Sequence, residues 1–175
     1  MKKRGKRAEG FLGMSFSMIF SIILIVFFIV AAFIAIRAFL DFKKCTQLGM
    51  FVRDFQSEIE KTWNSPGGGF LFESNLPSSI EFVCFANLSE NSRGGEENEQ
   101  IYRKIEVYSG EDSNLFFYPT EKACDNPDNK IKHLNIKEIT RAENPYCIAV
   151  KGGKISIQIE KELNEESGLV RIYKK

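Results

Sequence analysis

Residues 11–36 read FLGMSFSMIFSIILIVFFIVAAFIAI and carry no charged side chain. Lys2, Lys3, Arg4, Lys6 and Arg7 stand just before them, and a charged amphipathic stretch follows. As a helix rising ~1.5 Å per residue, the run spans roughly 39 Å, more than the ~30 Å hydrocarbon core of a bilayer. A secretory signal has only about 7–15 apolar residues before its cleavage site, so the run reads as an uncleaved transmembrane helix. A buried core helix fits less well. The 139 residues beyond the run are too few to surround a helix that is apolar on every face.

The charges orient the span. Residues 1–10 hold five Lys/Arg and one Glu, a net +4, whereas the whole chain is +1. Residues 11–175 therefore sum to −3. Arg37, Lys43 and Lys44 follow the span, with Asp41 among them. The positive-inside rule places the N-terminus in the cytoplasm and the C-terminal domain outside, in a single-pass cell-membrane protein. A basic leader can also serve as a nucleic-acid arm. Beside a span, the topogenic reading is preferred, and the mixed charges farther on form no nucleic-acid footprint.

The helix is expected to continue past the lipid. Between residues 37 and 63 there is no Pro, and Gly49 is the only Gly. Leu48, Val52, Phe55, Ile59 and Trp63 fall within about 80° on a helical wheel, with Arg53, Ser57, Glu60 and Lys61 opposite. One helix over about residues 12–63, roughly 75 Å long, follows from that pattern. Asn64-Ser65-Pro66-Gly67-Gly68-Gly69 ends it.

Residues 64–175 read as β-rich. Short apolar or alternating runs at 70–72, 80–85, 101–108, 115–118, 146–150, 154–160 and 169–173 are separated by turn residues. Ile155, Ile157 and Ile159 alternate with polar neighbours, as in a half-buried antiparallel strand. Gly152-Gly153 suits a hairpin turn from residues 146–150 into that strand. Residues 87–100 read as a mobile solvent loop. The expected fold is α+β: a long N-terminal helix, transmembrane then amphipathic, packed on one small antiparallel sheet of five to seven strands. The organisation is a basic cytoplasmic leader (1–10), a transmembrane helix (11–36), its amphipathic continuation (37–63) and an extracytoplasmic domain (64–175).

All four cysteines, Cys45, Cys84, Cys124 and Cys147, lie after the span. An even number on the outer side predicts two disulfides. Three connectivities exist. Cys45 with Cys84 and Cys124 with Cys147 is preferred, because each joins neighbouring stretches of chain.

No pattern points to catalysis, a cofactor or a metal. His133 is the only histidine and has no nucleophile motif near it, so a surface or packing role is expected. Asp125-Asn126-Pro127-Asp128-Asn129 lacks EF-hand spacing and reads as an Asx/Pro turn. Glu96-Glu97-Asn98-Glu99 reads as solvated loop. Asn87-Leu88-Ser89 is a formal glycosylation sequon, which makes Asn87 a candidate acceptor on an exported domain. Within the span, Gly13, Ser17, Ser21, Ala31, Ala32 and Ala35 share an arc of about 100°. A small-residue face lets another helix approach closely in lipid. The expected partners are therefore the lipid bilayer and other membrane helices.

A short basic leader ending in Gly10, then Phe11 and a long apolar helix, resembles the type IV pilins and pseudopilins, especially archaeal membrane-anchored pilin-like proteins. The organisational resemblance extends over the whole chain, and the sequence-level match is confined to residues 2–36. It implies cleavage between Gly10 and Phe11 on the cytoplasmic side and assembly of the freed helices into a filament core. Those proteins usually carry Glu at the fifth mature position, where this chain has Ser15. Glu9 before the cut is also atypical. Some minor pseudopilins lack the glutamate as well. The functional expectation is a non-enzymatic pilin-like subunit or minor pseudopilin. The alternative is an uncleaved binding or accessory module of a membrane complex.

Overall fold

A computed structural model of the protein describes residues 16–108, 112–124, 126–161 and 168–174. The chain divides into two compact units, Met1–Phe42 and Lys43–Lys175. Helix α1 covers Phe16–Asn64, so the one long helix expected from the sequence is present. At its end the Asn64 side-chain amide donates to the Glu60 carbonyl at 2.8 Å, and the Ser65 amide and hydroxyl both donate to the Thr62 carbonyl, at 3.1 and 2.7 Å, satisfying one otherwise unpaired carbonyl of the last turn.

In the first unit, every described side chain from Ser17 to Phe42 is exposed. One 18-residue window of α1 reaches a mean hydropathy of 3.3, and the helix is long and apolar enough to cross a membrane.

The second unit contains the rest of α1 and seven strands among the described residues. They are β1 (Gly68–Asn75), β2 (Phe82–Phe85), β3 (Leu115–Tyr118), β4 (Asp128–Asn129), β5 (Tyr146–Ala149), β6 (Lys154–Lys161) and β7 (Arg171–Lys174). Helices α2 (Glu96–Ile105) and α3 (Ile136–Ile139) lie between them. The strands form two antiparallel sheets rather than one: β1-β6-β7 and β4-β3-β2-β5.

The main core is built where α1 meets both sheets. Leu48, Phe51, Phe55 and Ile59 are buried. Phe51 lies 5.8 Å from Phe72 and 5.7 Å from Phe117; Phe55 lies 5.3 Å from Phe72 and 5.7 Å from Phe85. The two rings of α1 thus join β1 of one sheet to β2 and β3 of the other. Strand alternation then divides the four-stranded sheet. Val83, Phe85, Leu115 and Phe117 enter the main core. Cys84 and Phe116 point the other way, into a second cluster closed by Ile101 and Ile105 of α2.

Several expectations need correction. Residues 101–108 form the end of α2 and a 3₁₀ turn instead of a strand. Ile101 and Ile105 have helical spacing and are both buried, with acidic residues in the first turn of α2 and basic ones in the last. The solvent loop expected over 87–100 is accordingly shorter, since Glu96–Gln100 are helical. Gly152 and Gly153 do form a tight turn with positive φ of 59° and 72°, bridged by Lys151 and Lys154. The strands on either side of it nevertheless join different sheets.

The buried stripe of α1 is also rotated from its expected position. Phe51 and Thr62 are buried, whereas Trp63 is 37% exposed. At ~100° per residue this moves the stripe's centre by about 40°.

Candidate functional site

The candidate functional features are two separate stretches of α1: the uncharged span in the first unit, and the later part that is built into the second unit, the head. Ser17, Ser21, Ala31, Ala32 and Ala35 all lie on α1 within the uncharged run and are exposed. The Ser21 hydroxyl donates to the Ser17 carbonyl at 2.9 Å, so its polar group is satisfied within the helix. That local bond suits a serine in a low-dielectric surrounding. Gly13 of the same stripe, and the processing residues Gly10 and Phe11, lie outside the described residues. Arg37, Asp41, Lys43 and Lys44 are exposed and end the uncharged surface.

Beyond Lys44 the helix is clamped. Cys45 is bonded to Cys124, with a Cα–Cα distance of 5.8 Å. Cys84 is bonded to Cys147 at a Cα–Cα distance of 4.0 Å. Two disulfides are present as expected, but the preferred local pairing of Cys45 with Cys84 and Cys124 with Cys147 is not. Strand pairing overrides sequence proximity. Cys84 and Cys147 are directly opposite in the β2–β5 register, while Cys45 on α1 meets the turn after β3. Further along, Gln56 accepts from the Lys132 amide at 2.8 Å, and Lys161 donates to the Ser65 carbonyl at 3.0 Å. The clamp is therefore covalent near Lys44, apolar through its middle and hydrogen-bonded near Asn64.

The remaining candidates are dispersed. His133 stacks on Trp63, ring centroids 3.8 Å apart, the packing alternative of the surface or packing role expected of it. Asp128 accepts from the Ser113 hydroxyl at 2.6 Å and pairs in β4, and Asp125 lies outside the described residues. Glu96, Glu97 and Glu99 form the acidic first turn of α2. Among the described residues, no three His, Cys, Asp or Glu side chains gather as a metal-binding group. Asn87 is half-buried, and its side-chain nitrogen donates to Glu90 at 3.0 Å. A cleft of about 460 Å³ is lined by Ile148, Ala149, Lys151, Lys154, Ser156 and Lys174.

Two important residues carry no clear sequence signal. Phe51 falls at helical spacing from both Leu48 and Phe55, but a stripe drawn through Val52 and Trp63 passes it by. Asn144 is fully buried and organises residues 87–93 through its side chain. Nothing in the local sequence distinguishes it from a surface asparagine before a proline. Comparison with protein-family models, curated proteins and solved structures finds no match for this chain.

Proposed function

We propose that this is a non-enzymatic, membrane-anchored surface protein that assembles laterally through its N-terminal helix, as a pilin-like subunit or minor pseudopilin. The observation that carries the reading is the contrast along α1. Its uncharged part exposes every described side chain, including a small-residue stripe, while its later part is fixed to the head by a disulfide and a phenylalanine core. Small residues permit the close helix approach on which association in lipid depends. The head lies outside the cell in this reading, supported by the basic leader and by two disulfides, which persist in oxidising surroundings.

The test is mass spectrometry of the N-terminus of protein isolated from its native membrane. A chain beginning at methylated Phe11 is expected. A chain beginning at Met1, without filaments, would overturn the pilin-like reading. Ser15 and Glu9 favour a second reading, in which the span stays uncut and holds the head as an accessory module of a membrane complex.

A further inference from the structure

Among the described residues, the head has one long unguarded sheet edge. Strand β1 pairs with β6 without a bulge, from Gly68 opposite Lys161 to Asn75 opposite Lys154. It is the outermost strand of β1-β6-β7, and among the described residues no strand pairs with its other side. Among the described residues, no backbone group of Gly68–Asn75 bonds outside the β6 ladder. In an antiparallel edge strand of this length, about four residues direct both N–H and C=O outward. Near the start of β1, a cleft of about 320 Å³ lies between it and Glu58, Lys61 and Thr62 of α1.

The other edges are protected. β4 has two residues and β5 has four. β7 has four, including Arg171 and Lys174. Short strands and basic side chains are the usual means of preventing edge pairing. β1 has eight residues, GGFLFESN, with no Lys, Arg or Pro.

We propose that β1 is a self-recognition edge, at which two copies of this chain pair β1 against β1, antiparallel, about a twofold axis at Leu71. The strand is complementary to itself in that register. Leu71 meets the second copy's Leu71 on the face away from the core. Phe70, half-buried against the core, meets the second copy's Phe72, so the two cores become continuous. Glu73, the strand's one charge, falls opposite the second copy's Gly69 rather than another carboxylate. No like charges stand directly opposed across the seam. The result is a six-stranded sheet with β7 at both edges, in a closed twofold dimer with an isologous interface. It concerns the head alone and does not depend on processing of the leader.

The test uses the full chain in detergent micelles. In Leu71→Cys the two introduced thiols face each other, and oxidation is expected to give a dimer that reduction dissolves. Tyr173→Cys, on the same face but two strands from the seam, is expected to stay monomeric. Leu71→Lys and Leu71→Glu alone each weaken dimerisation roughly tenfold or more, and mixing the two restores it. Leu71 is half-buried and outside the core, so an unchanged unfolding midpoint of each variant verifies its fold. Cross-linking no faster at position 71 than at 173 would overturn the proposal. A dimer that survives Leu71→Lys but is lost on changing the small residues of α1 would also overturn it, by assigning association to the helix. Capture of a foreign strand at β1 without self-pairing would do the same.

Discussion

Asn144 holds Asn87 by both of its backbone polar groups. The Asn87 amide donates to Asn144 Oδ1 at 3.0 Å, and Asn144 Nδ2 donates to the Asn87 carbonyl at 3.0 Å. A side-chain amide thus stands in for the peptide group of a neighbouring strand. The same Nδ2 reaches the Asn91 carbonyl at 3.1 Å, and the Asn144 backbone exchanges two bonds with Arg93.

Replacing Asn144 with Ala strands these groups in a buried place, so a loss of about 2–4 kcal/mol is expected. Asn144→Asp is expected to be at least as damaging, because a carboxylate oxygen would then face the carbonyls that Nδ2 now serves. Urea unfolding of the full chain in micelles, followed by emission of the single tryptophan, Trp63, measures both. An unchanged midpoint in Asn144→Ala would remove this residue from its organising place.

Proteolysis under non-reducing conditions is expected to release one peptide pair containing Cys45 and Cys124 and another containing Cys84 and Cys147. A peptide joining Cys45 to Cys84 would contradict the observed strand register. Replacing Cys45 and Cys124 together with Ser is expected to cost about 2–4 kcal/mol, mainly by freeing the unfolded chain. The span should still enter the membrane, since its insertion rests on residues before the clamp. Membrane fractionation of the double variant tests that separation of roles.

Tyr102 gives the head a pH dependence of known sign. Its phenol donates to the Glu90 carbonyl at 2.7 Å. Burial, and then the nearby Glu106 carboxylate, raise its pKa above the usual 10.0. The folded state therefore holds this proton more tightly than the unfolded state does. The resulting stability is complete below pH 10 and is lost as pH rises through the folded value. Tyr102→Phe is expected to cost about 1 kcal/mol at pH 8 through the lost hydrogen bond. That deficit should shrink above pH 10, because the wild type loses its advantage there. Urea midpoints of both proteins across this range would show a constant gap if Tyr102 had no part in the effect.

Much of the architecture was legible because two periodicities dominate the chain. The uncharged run and the breaker at residues 64–69 delimit one helix. The alternating isoleucines at 155, 157 and 159 mark the central strand β6. What stayed hidden depends on contacts distant in sequence. Ile101 and Ile105 fit a short buried helix as well as an apolar strand, and only the second cluster around Cys84 and Phe116 decides between them. Gly152 and Gly153 specify a turn but not whether its arms share a sheet. The Cys84–Cys147 disulfide follows strand pairing and the Cys45–Cys124 disulfide follows helix packing, neither of which is encoded in the spacing between cysteines. Of the candidate site, the small-residue stripe was readable as helical geometry, whereas the clamp needed Cys45 to be placed beside Cys124.

The stripe itself yields the most direct test of lateral assembly. Ala31 and Ala35 are four residues apart and therefore on one face of α1, and both are exposed. If neighbouring helices approach along that face, a large side chain there separates them and forfeits their close contacts. Ala31→Phe and Ala35→Phe are each expected to reduce helix association in membranes, and the double variant to abolish it. Phe33→Ala, on the opposite face of the helix from Ala31 and Ala35, is the control and should leave association nearly unchanged. Energy transfer between donor- and acceptor-labelled chains reconstituted in lipid vesicles measures this. All variants should insert equally, because the run remains uncharged. Equal transfer in Ala31→Phe, Ala35→Phe and the wild type would show that the small residues do not form the contact, and lateral assembly through this face would have to be given up.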